Sequence, residues 1–467
     1  MSRKKGMVTK MECFIGLDIG TSAVKGILLS AAGETLAAAS GNFEYYGEKG
    51  AHLLKPERFL EVCFSVIREL AEAAGDRRIA AVCPCCASGN LIFLGEAYEP
   101  LTPIIGWQST VDEAEFLSLY TDREREEIYR TVGWPAVNGF PVTYFPWIAK
   151  NKKELLSRAK MICMSAEYLN FALTGRFGIS PSMGTPFYLL DQEKGCYAEA
   201  LLRRFGVREE QLPPIFDKGT VLGTVTKDAA DALGVPGMNP GIHSAGTAVV
   251  LGSFDHPSCA TGAGVYGCDE VLLSCGTSWV EFFPVESRRK AIETGFLVDR
   301  YMTEGAPYCV MSSIASLSRR ISALRTHYLG RISHAELDSL AVQSEKGCGG
   351  LRFDFTDGDF MRAGNFEKRH IARAIYESAA MLLKENFKEA EAKGLRTDKV
   401  TMAGGITNSA VCMKIIAETL GQDVKVVGGA SAGAIGAAML AGIGVKAFKN
   451  EEDAFGRMKF TETVYTC

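Results

Sequence analysis

The chain has 467 residues, of which 47% are hydrophobic and 23% are charged, as in a globular protein of two or three domains. Its formal net charge of −4 and isoelectric point near 6.0 provide no basic surface for nucleic acid. The basic stretch MSRKKGMVTK lacks the apolar segment of a signal peptide, and no stretch reaches the roughly 20 apolar residues of a membrane helix. The 14 cysteines are scattered, which fits a reducing compartment, so we expect a cytoplasmic protein.

The first predicted element is a strand hairpin over residues 13–29, in which a turn of Gly20, Thr21 and Ser22 joins two apolar runs. At such a tip, backbone N–H groups and small hydroxyls can approach an anion without steric obstruction. The turn therefore predicts phosphate contacts from Thr21 and Ser22. Lys25, on the second run, is either a further phosphate contact or a solvated strand residue.

Helices and strands alternate after this hairpin. Apolar residues at helical spacing predict a helix over 56–74, and a short apolar run predicts a strand over 79–83. A strand over 161–164 precedes a helix over 166–174, which Gly175 can terminate. The alternation predicts an α/β architecture.

A stretch rich in glycine, proline and small residues, near 240–254, indicates a domain boundary. We place an N-terminal domain at 1–253 and a C-terminal domain at 254–467. Gly252 and Ser253 are small, so the crossing segment at 252–255 is a candidate hinge. Asp255 follows at once, so the crossing between the halves carries a carboxylate.

The turn of the first hairpin recurs after this boundary as Gly276, Thr277 and Ser278, again between two strand-like runs. One Gly-Thr-Ser tripeptide is weak evidence because it is common in turns. Two copies flanked by strands indicate two related lobes that face one phosphate chain. Thr277 and Ser278 are therefore candidate phosphate-binding residues too.

The last part of the chain repeats the alternation of helices and strands. A strand ends in Gly404 and Gly405, and Asn408 or Ser409 can cap the helix that follows. A final helix of small residues allows close approach to a sheet or a ligand. The predicted elements are a helix over 371–393, a strand over 399–403, a helix over 411–420 closed by Gly421, a strand over 424–427 and a helix over 432–442.

Four stretches resemble, in order, the motifs of the FGGY carbohydrate kinases, and the resemblance covers nearly the whole chain. It implies an α/β fold of two RNase-H-like (actin-like ATPase) domains with a cleft between them. The stretches are DIGTSAVK at 18–25 (first phosphate motif), VVLGSFDHPSCATGAGV at 249–265 (catalytic aspartate), LLSCGTS at 272–278 (second phosphate motif) and AGGITNS at 403–409 (adenosine motif).

The resemblance also implies residue roles in phosphoryl transfer from ATP to a sugar or polyol hydroxyl. Asp255 would be the base that accepts the hydroxyl proton, where the alternative is a helix-cap or turn aspartate. Asp18 would hold Mg²⁺ through water, where the alternative is a turn-stabilising role. The glycines Gly404 and Gly405, with Asn408, would meet the nucleotide, unless they form an ordinary strand–turn–helix junction.

The substrate side departs from the family. Members commonly carry Trp-x-Asp-x-Arg near the sugar, whereas this chain has Trp107, then Ser109 and Val111 at the acidic and basic positions. Upstream, CCASGNLIFL replaces the common Gly-Gln-x-His-Gly, and Asn90 lies within it. We expect Asn90, Trp107, Ser109 and Asp255 to contact a substrate that is smaller than usual for the family or a less usual polyol.

Three classes of function therefore compete. An ATP-dependent carbohydrate kinase is favoured, and a homodimer is a candidate assembly. A non-catalytic sugar- or nucleotide-binding protein derived from the kinase scaffold would suit the altered WQSTV segment, but Asp18 and Asp255 are retained. An actin- or chaperone-like ATPase is disfavoured because the phosphate motifs match the sugar kinases better.

Overall fold

The computed structural model describes residues 12–47, 50–87, 89–238, 246–276, 278–302, 305, 307–355, 366–427, 431–460 and 462–467. Contacts divide these residues into two compact units. The first comprises the described residues up to Gly262 together with 297–301 and 433–459, and the second comprises the rest. The division predicted at residue 253 stays a prediction. Within the described ranges, no helix is long and apolar enough to cross a membrane.

The first unit is built on a mixed six-stranded sheet. The strand Glu12–Ile19 is central, pairing antiparallel with Ala23–Ser30 and parallel with Arg78–Cys86. The full strand order is Val221–Thr224, Ala248–Val250, Arg78–Cys86, Glu12–Ile19, Ala23–Ser30 and Thr35–Asn42.

Helices and short strands surround this sheet. The helices are Pro56–Ala74, Glu113–Ser118, Asp122–Val132, Pro141–Asn151, Lys153–Arg158, Ser165–Thr174, Pro181–Gly184, Glu199–Phe205, Lys227–Leu233, Asp255–Ala263, Ala432–Gly444 and Glu451–Arg457. The short strands are Leu53–Leu54, Ile92–Leu94, Ile104–Ile105, Met161–Cys163, Leu190–Asp191 and Cys196–Tyr197. The contacts of the strand Leu297–Arg300 assign it to this unit too.

The second unit repeats the arrangement around its own central strand, Glu270–Cys275. This strand pairs antiparallel with Trp279–Val285 and parallel with Lys399–Gly404. From one side of the sheet to the other, the strands of this unit are Tyr308–Ile314, Trp279–Val285, Glu270–Cys275, Lys399–Gly404, Val424–Val426 and Thr463–Tyr465. Its helices are Arg288–Glu293, Leu317–Leu329, His334–Ala341, Lys368–Ala392 and Ala410–Leu420.

The local predictions are confirmed, with boundaries that differ by a few residues at most. Both Gly-Thr-Ser turns join a central strand to its antiparallel neighbour. Gly175 and Gly421 end their helices at positive φ, +69° and +76°, a conformation that glycine adopts without steric cost. Of the two residues considered for the helix Ala410–Leu420, Ser409 is the cap, since its hydroxyl accepts the N–H of Cys412.

The helix of small residues, Ala432–Gly444, packs directly on the central strand of the first unit. A Cβ at Gly16 would overlap the backbone of Ala434 and lie 2.8 Å from the Cβ of Ala438. A Cβ at Gly436 would overlap the carbonyl of Ser258 on the neighbouring helix. The predicted close approach to a sheet is therefore confirmed, and it brings the strand and both helices together around the candidate site.

Candidate active site

Asp18 lies one residue before the end of the central strand, next to the first Gly-Thr-Ser turn. The antiparallel register places Lys25 directly opposite it on the neighbouring strand. The turn is closed by a 2.9 Å bond from the N–H of Gly20 to the carbonyl of Ala23. Thr21 is half-buried at this tip, whereas Ser22 and Lys25 are exposed. All of the predicted anion-binding groups of the first motif therefore lie at one end of the hairpin.

Asp255 is the first residue of the helix Asp255–Ala263. Its Oδ1 accepts the backbone N–H of His256 at 2.8 Å, which orients the carboxyl group, and the side chain remains 22% exposed. Burial of Asp18 and the nearby negative charge of Asp255 raise the pKa of Asp18 to about 7, while Lys25 opposes that rise. The two carboxyl groups thus lie close enough to repel each other.

The surroundings of Asp18 fit a divalent cation. A Cβ on Gly433 would lie 2.5 Å from Oδ2 of Asp18. A larger residue at this position of the helix Ala432–Gly444 would therefore collide with the carboxylate. Ser258 donates to the carbonyl of Gly433 at 2.8 Å and fixes that glycine. No group of three or more His, Cys, Asp or Glu that could hold a metal occurs in the described part of the chain. Mg²⁺ commonly binds through one or two carboxylates and keeps several waters, so a single carboxylate at Asp18 is compatible with this ion.

Trp107 contacts the phosphate turn. Its indole N–H donates to the hydroxyl oxygen of Thr21 at 2.8 Å, and its ring stacks on Phe140 with centroids 5.7 Å apart. The residue predicted for the substrate is therefore in contact with a residue predicted for phosphate. A small cavity borders them, lined among others by Phe43, Tyr45, Cys86, Asn90 and Ser165.

Asn90 and Ser109 each have hydrogen-bonding partners within the protein. Asn90 accepts the N–H of Ser165 at 2.7 Å and donates to its hydroxyl at 2.9 Å. The hydroxyl of Ser109 donates to the carbonyl of His52 at 3.0 Å and accepts the N–H of His52 at 2.8 Å. Both side chains are 7% exposed. Of these residues, Asn90 and Ser165 line the cavity, and direct binding of substrate by Asn90 or Ser109 stays a prediction.

In the second unit, Gly404 is the last residue of the strand Lys399–Gly404, which pairs with the strand Glu270–Cys275, and Gly405 follows it. Gly404 has φ +110°, and a Cβ there would overlap the carbonyl of Cys275, so this position requires glycine. Gly405 is exposed, and a Cβ there would meet no atom within 4 Å. This open surface fits the approach of a nucleotide.

The other predicted residues of this unit are only partly described. Thr277 lies outside the described residues. The Ser278 hydroxyl accepts the N–H of Ser316 at 3.0 Å, so its own proton can point to another acceptor. Asn408 is exposed at the end of the one-turn helix Gly405–Asn408.

Sequence reasoning missed Asp338, which supports the segment from Gly405 to Ser409. Its Oδ1 accepts the hydroxyl of Ser409 and the hydroxyl of Tyr376, both at 2.8 Å. Ser409 is the cap that begins the helix after the loop, so Asp338 orients the cap. The only sequence signal was an acidic residue on a separate helix, and that does not reveal the contact.

Comparison with protein families gives matches along most of the chain. The model of the FGGY family of carbohydrate kinases, N-terminal domain, matches residues 13–262, and the C-terminal domain model matches residues 350–445. A xylulose kinase from Staphylococcus epidermidis is 24% identical over 460 residues, covering 94% of this chain and 90% of that protein. An autoinducer-2 kinase from Salmonella typhimurium is 24% identical over 464 residues, covering 92% and 86%.

Solved structures show the same fold. The gluconate kinase from Lactobacillus acidophilus superposes with a TM-score of 0.85 at 20% identity, covering 97% of this chain and 93% of that chain. The xylulose kinase from Rhodospirillum rubrum gives 0.82 at 22% identity, with the same coverage. The predicted fold class, two actin-like ATPase domains of the RNase-H type, is thereby confirmed.

Proposed function

The chain belongs to the FGGY family of carbohydrate kinases and is an ATP-dependent carbohydrate kinase, and we propose that Asp255 is its general base and Asp18 its Mg²⁺-binding carboxylate. The observation that carries this proposal is the pair of carboxyl groups at the first phosphate turn. Burial, and after it the negative charge of Asp255, raises the pKa of Asp18, and a bound cation would offset both effects. Kinases of this family use ATP and a divalent metal, which supports the assignment of Asp18 as a metal-binding carboxylate.

Asp255 accepts the proton of the acceptor hydroxyl as that oxygen attacks the γ-phosphorus. The bond between the γ-phosphorus and the bridging oxygen of ADP breaks, and the proton on Asp255 then passes to solvent. The hydrogen bond from His256 holds one carboxylate oxygen, which leaves the other to take the proton. Mg²⁺, when bound, neutralises charge on the phosphates.

We assign the phosphate contacts to the two turns. The indole of Trp107 uses a lone pair of the Thr21 hydroxyl, so the hydroxyl proton is directed elsewhere and can be donated to a phosphate oxygen. Ser22 and Lys25 provide a second hydroxyl and a charge at the same tip, and Thr277 and Ser278 provide the hydroxyls of the other turn. Gly404, Gly405 and Asn408 meet the nucleotide.

We propose that the acceptor is an uncharged sugar or polyol. The side chains around Thr21 and Trp107 include aromatic ones and polar, neutral ones such as Asn90 and Ser165. The position that commonly carries arginine in the family is Val111, whose backbone is held by Asn138. A carboxylated acceptor would lack a cationic partner there, whereas hydroxyl groups need none.

An acceptor panel tests this function. ADP release would be followed with ketoses, aldoses, polyols and gluconate, with and without Mg²⁺, and phosphorus NMR would identify the ester formed. We expect a neutral acceptor to be phosphorylated in a Mg²⁺-dependent reaction and to be preferred over gluconate. A preference for gluconate would overturn the assignment of an uncharged acceptor, and binding without turnover of any acceptor would favour the non-catalytic alternative.

A further inference from the structure

We propose that Asp299 is a positioning residue for Asp255, acting through the hydroxyl of Ser182 and the backbone of Phe254. This inference rests on the proposed role of Asp255 as the general base. Asp299 lies 44 positions after Asp255, on the short strand Leu297–Arg300, and belongs by its contacts to the same unit.

Asp299 is a fully buried carboxylate surrounded by donors. Its Oδ2 accepts the hydroxyl of Ser182 at 2.9 Å, and its Oδ1 accepts the hydroxyl of Thr185 at 2.8 Å and the N–H of Arg300 at 2.7 Å. Ser182 and Thr185 are also buried. A buried acidic group with this many directed donors has a fixed orientation.

Ser182 transmits that orientation to the helix that carries Asp255. Its hydroxyl has one proton, which it gives to Asp299, and a lone pair that accepts the N–H of Phe254 at 3.2 Å. Phe254 directly precedes Asp255, the first residue of its helix. The bond to Asp299 fixes the direction of the Ser182 hydroxyl group. It therefore also fixes the lone pair that accepts the N–H of Phe254.

The segment before Asp255 is held at two further points, so small displacements are resisted along its length. Ser180, two residues before Ser182, donates to the carbonyl of Gly252 at 2.7 Å. The N–H of Ser253 points to the sulfur of Cys85 at 3.4 Å. Of these contacts, the one through Ser182 lies nearest to Asp255 and is the one that depends on a buried acidic side chain.

The test compares Ser182→Ala and Asp299→Asn with a matched control, Ser378→Ala. The buried hydroxyl of Ser378 accepts the N–H of Phe353 at 2.9 Å in the other unit, so its loss removes the same kind of bond far along the chain from Asp255. We expect kcat to fall about 10- to 100-fold in the first two variants, because small misplacement of a reacting group is costly. The dissociation constant of ATP should stay unchanged, and Ser378→Ala should keep wild-type kcat.

The double variant Ser182→Ala/Asp299→Asn separates positioning from general destabilisation. If Ser182 and Asp299 act on Asp255 through the same contacts, the double variant should lose no more kcat than the more impaired single variant. All rates are measured well below the melting temperature of each variant. If Asp299→Asn does not fold, Ser182→Ala alone decides. Folded variants with kcat within twofold of wild type, while Asp255→Asn is inactive, would overturn the positioning role and leave the base in place. Normal turnover by Asp255→Asn would overturn the proposed base itself, and with it this inference.

Discussion

The indole N–H of Trp107 donates to the hydroxyl of Thr21 over 2.8 Å, linking a residue predicted for the acceptor to one predicted for phosphate. An indole N–H is a donor only, so Thr21 must act as the acceptor in this bond. Its hydroxyl proton is thereby free to be aimed at a phosphate oxygen. If Thr21 binds phosphate as we propose, Trp107 orients that phosphate donor in addition to contacting the acceptor.

Trp107→Phe keeps an aromatic ring and removes the N–H. We expect kcat to fall about tenfold. Loss of one hydrogen bond that aligns a donor to a charged group costs roughly 1.4 kcal/mol, and that free energy corresponds to a tenfold change in rate. Thr21→Val should produce a similar loss, and the double variant should be little worse than either single one. Trp147→Phe, at a partly exposed helix position, is the control for the substitution itself. Additive losses in the double variant would show that the two residues act independently.

The pKa of Asp18, about 7, predicts a pH-dependent requirement for metal. Cation binding needs the carboxylate, so below pH 7 a proton competes with the metal. The Mg²⁺ concentration for half-maximal activity should rise about tenfold per pH unit below 7 and level off above it. Asp18→Asn removes both the proposed metal ligand and the titrating group, so the residual activity of this variant should need more Mg²⁺ and should lack this pH dependence. An unchanged pH dependence in that variant would assign it to another group.

The local elements could be predicted because their signals are contained in short stretches of sequence. Gly175 and Gly421 end their helices whatever the helices pack against. The two Gly-Thr-Ser segments indicate hairpins without any information from distant residues. The small size of Gly252 was interpreted as a hinge feature. In the structure, a Cβ there would overlap the carbonyl of Pro84, so packing within the first unit accounts for the glycine.

The contacts that orient the site could not be predicted, because they join residues far apart in the chain. Asp299 and Ser182 are 117 positions apart, and Asp338 and Ser409 are 71 apart. Ser109 was identified from the family pattern, yet its hydroxyl is engaged with His52, 57 positions away. Periodicity and turn signals carry no information about such pairs, which only the tertiary fold brings together.

Gly405→Leu tests the nucleotide site. The exposed space at Gly405 would be filled by the larger side chain, which should weaken ATP binding at least tenfold and leave acceptor binding unchanged. Gly456→Leu is a matched control, because Gly456 is also exposed with no atom near a Cβ, in the other unit. Calorimetry on both folded variants measures the effect. Equal ATP affinity in the two variants would place the nucleotide elsewhere.

Glu281 predicts a pH dependence of stability that is separate from catalysis. This carboxyl is fully buried on the strand Trp279–Val285, and burial raises its pKa to about 7. The folded state then binds a proton that the unfolded state, with a pKa near 4.5, releases. The contribution of this group is therefore greatest below pH 4.5 and is lost as the pH rises through 7.

Glu281→Gln keeps the shape and removes that titration. Urea unfolding at pH 5.5 and 8 should show wild type losing more stability than the variant at the higher pH, and the variant should be the more stable protein at pH 8. Parallel pH dependence in the two proteins would mean that Glu281 does not titrate in this range.

The most direct test of the proposed mechanism is the kcat of Asp255→Asn with the best acceptor from the panel. The amide keeps the shape of the carboxyl group and cannot accept the hydroxyl proton. We predict that kcat falls about 10²- to 10⁴-fold while ATP binding is retained. Turnover near the wild-type rate in a folded Asp255→Asn protein would contradict the account.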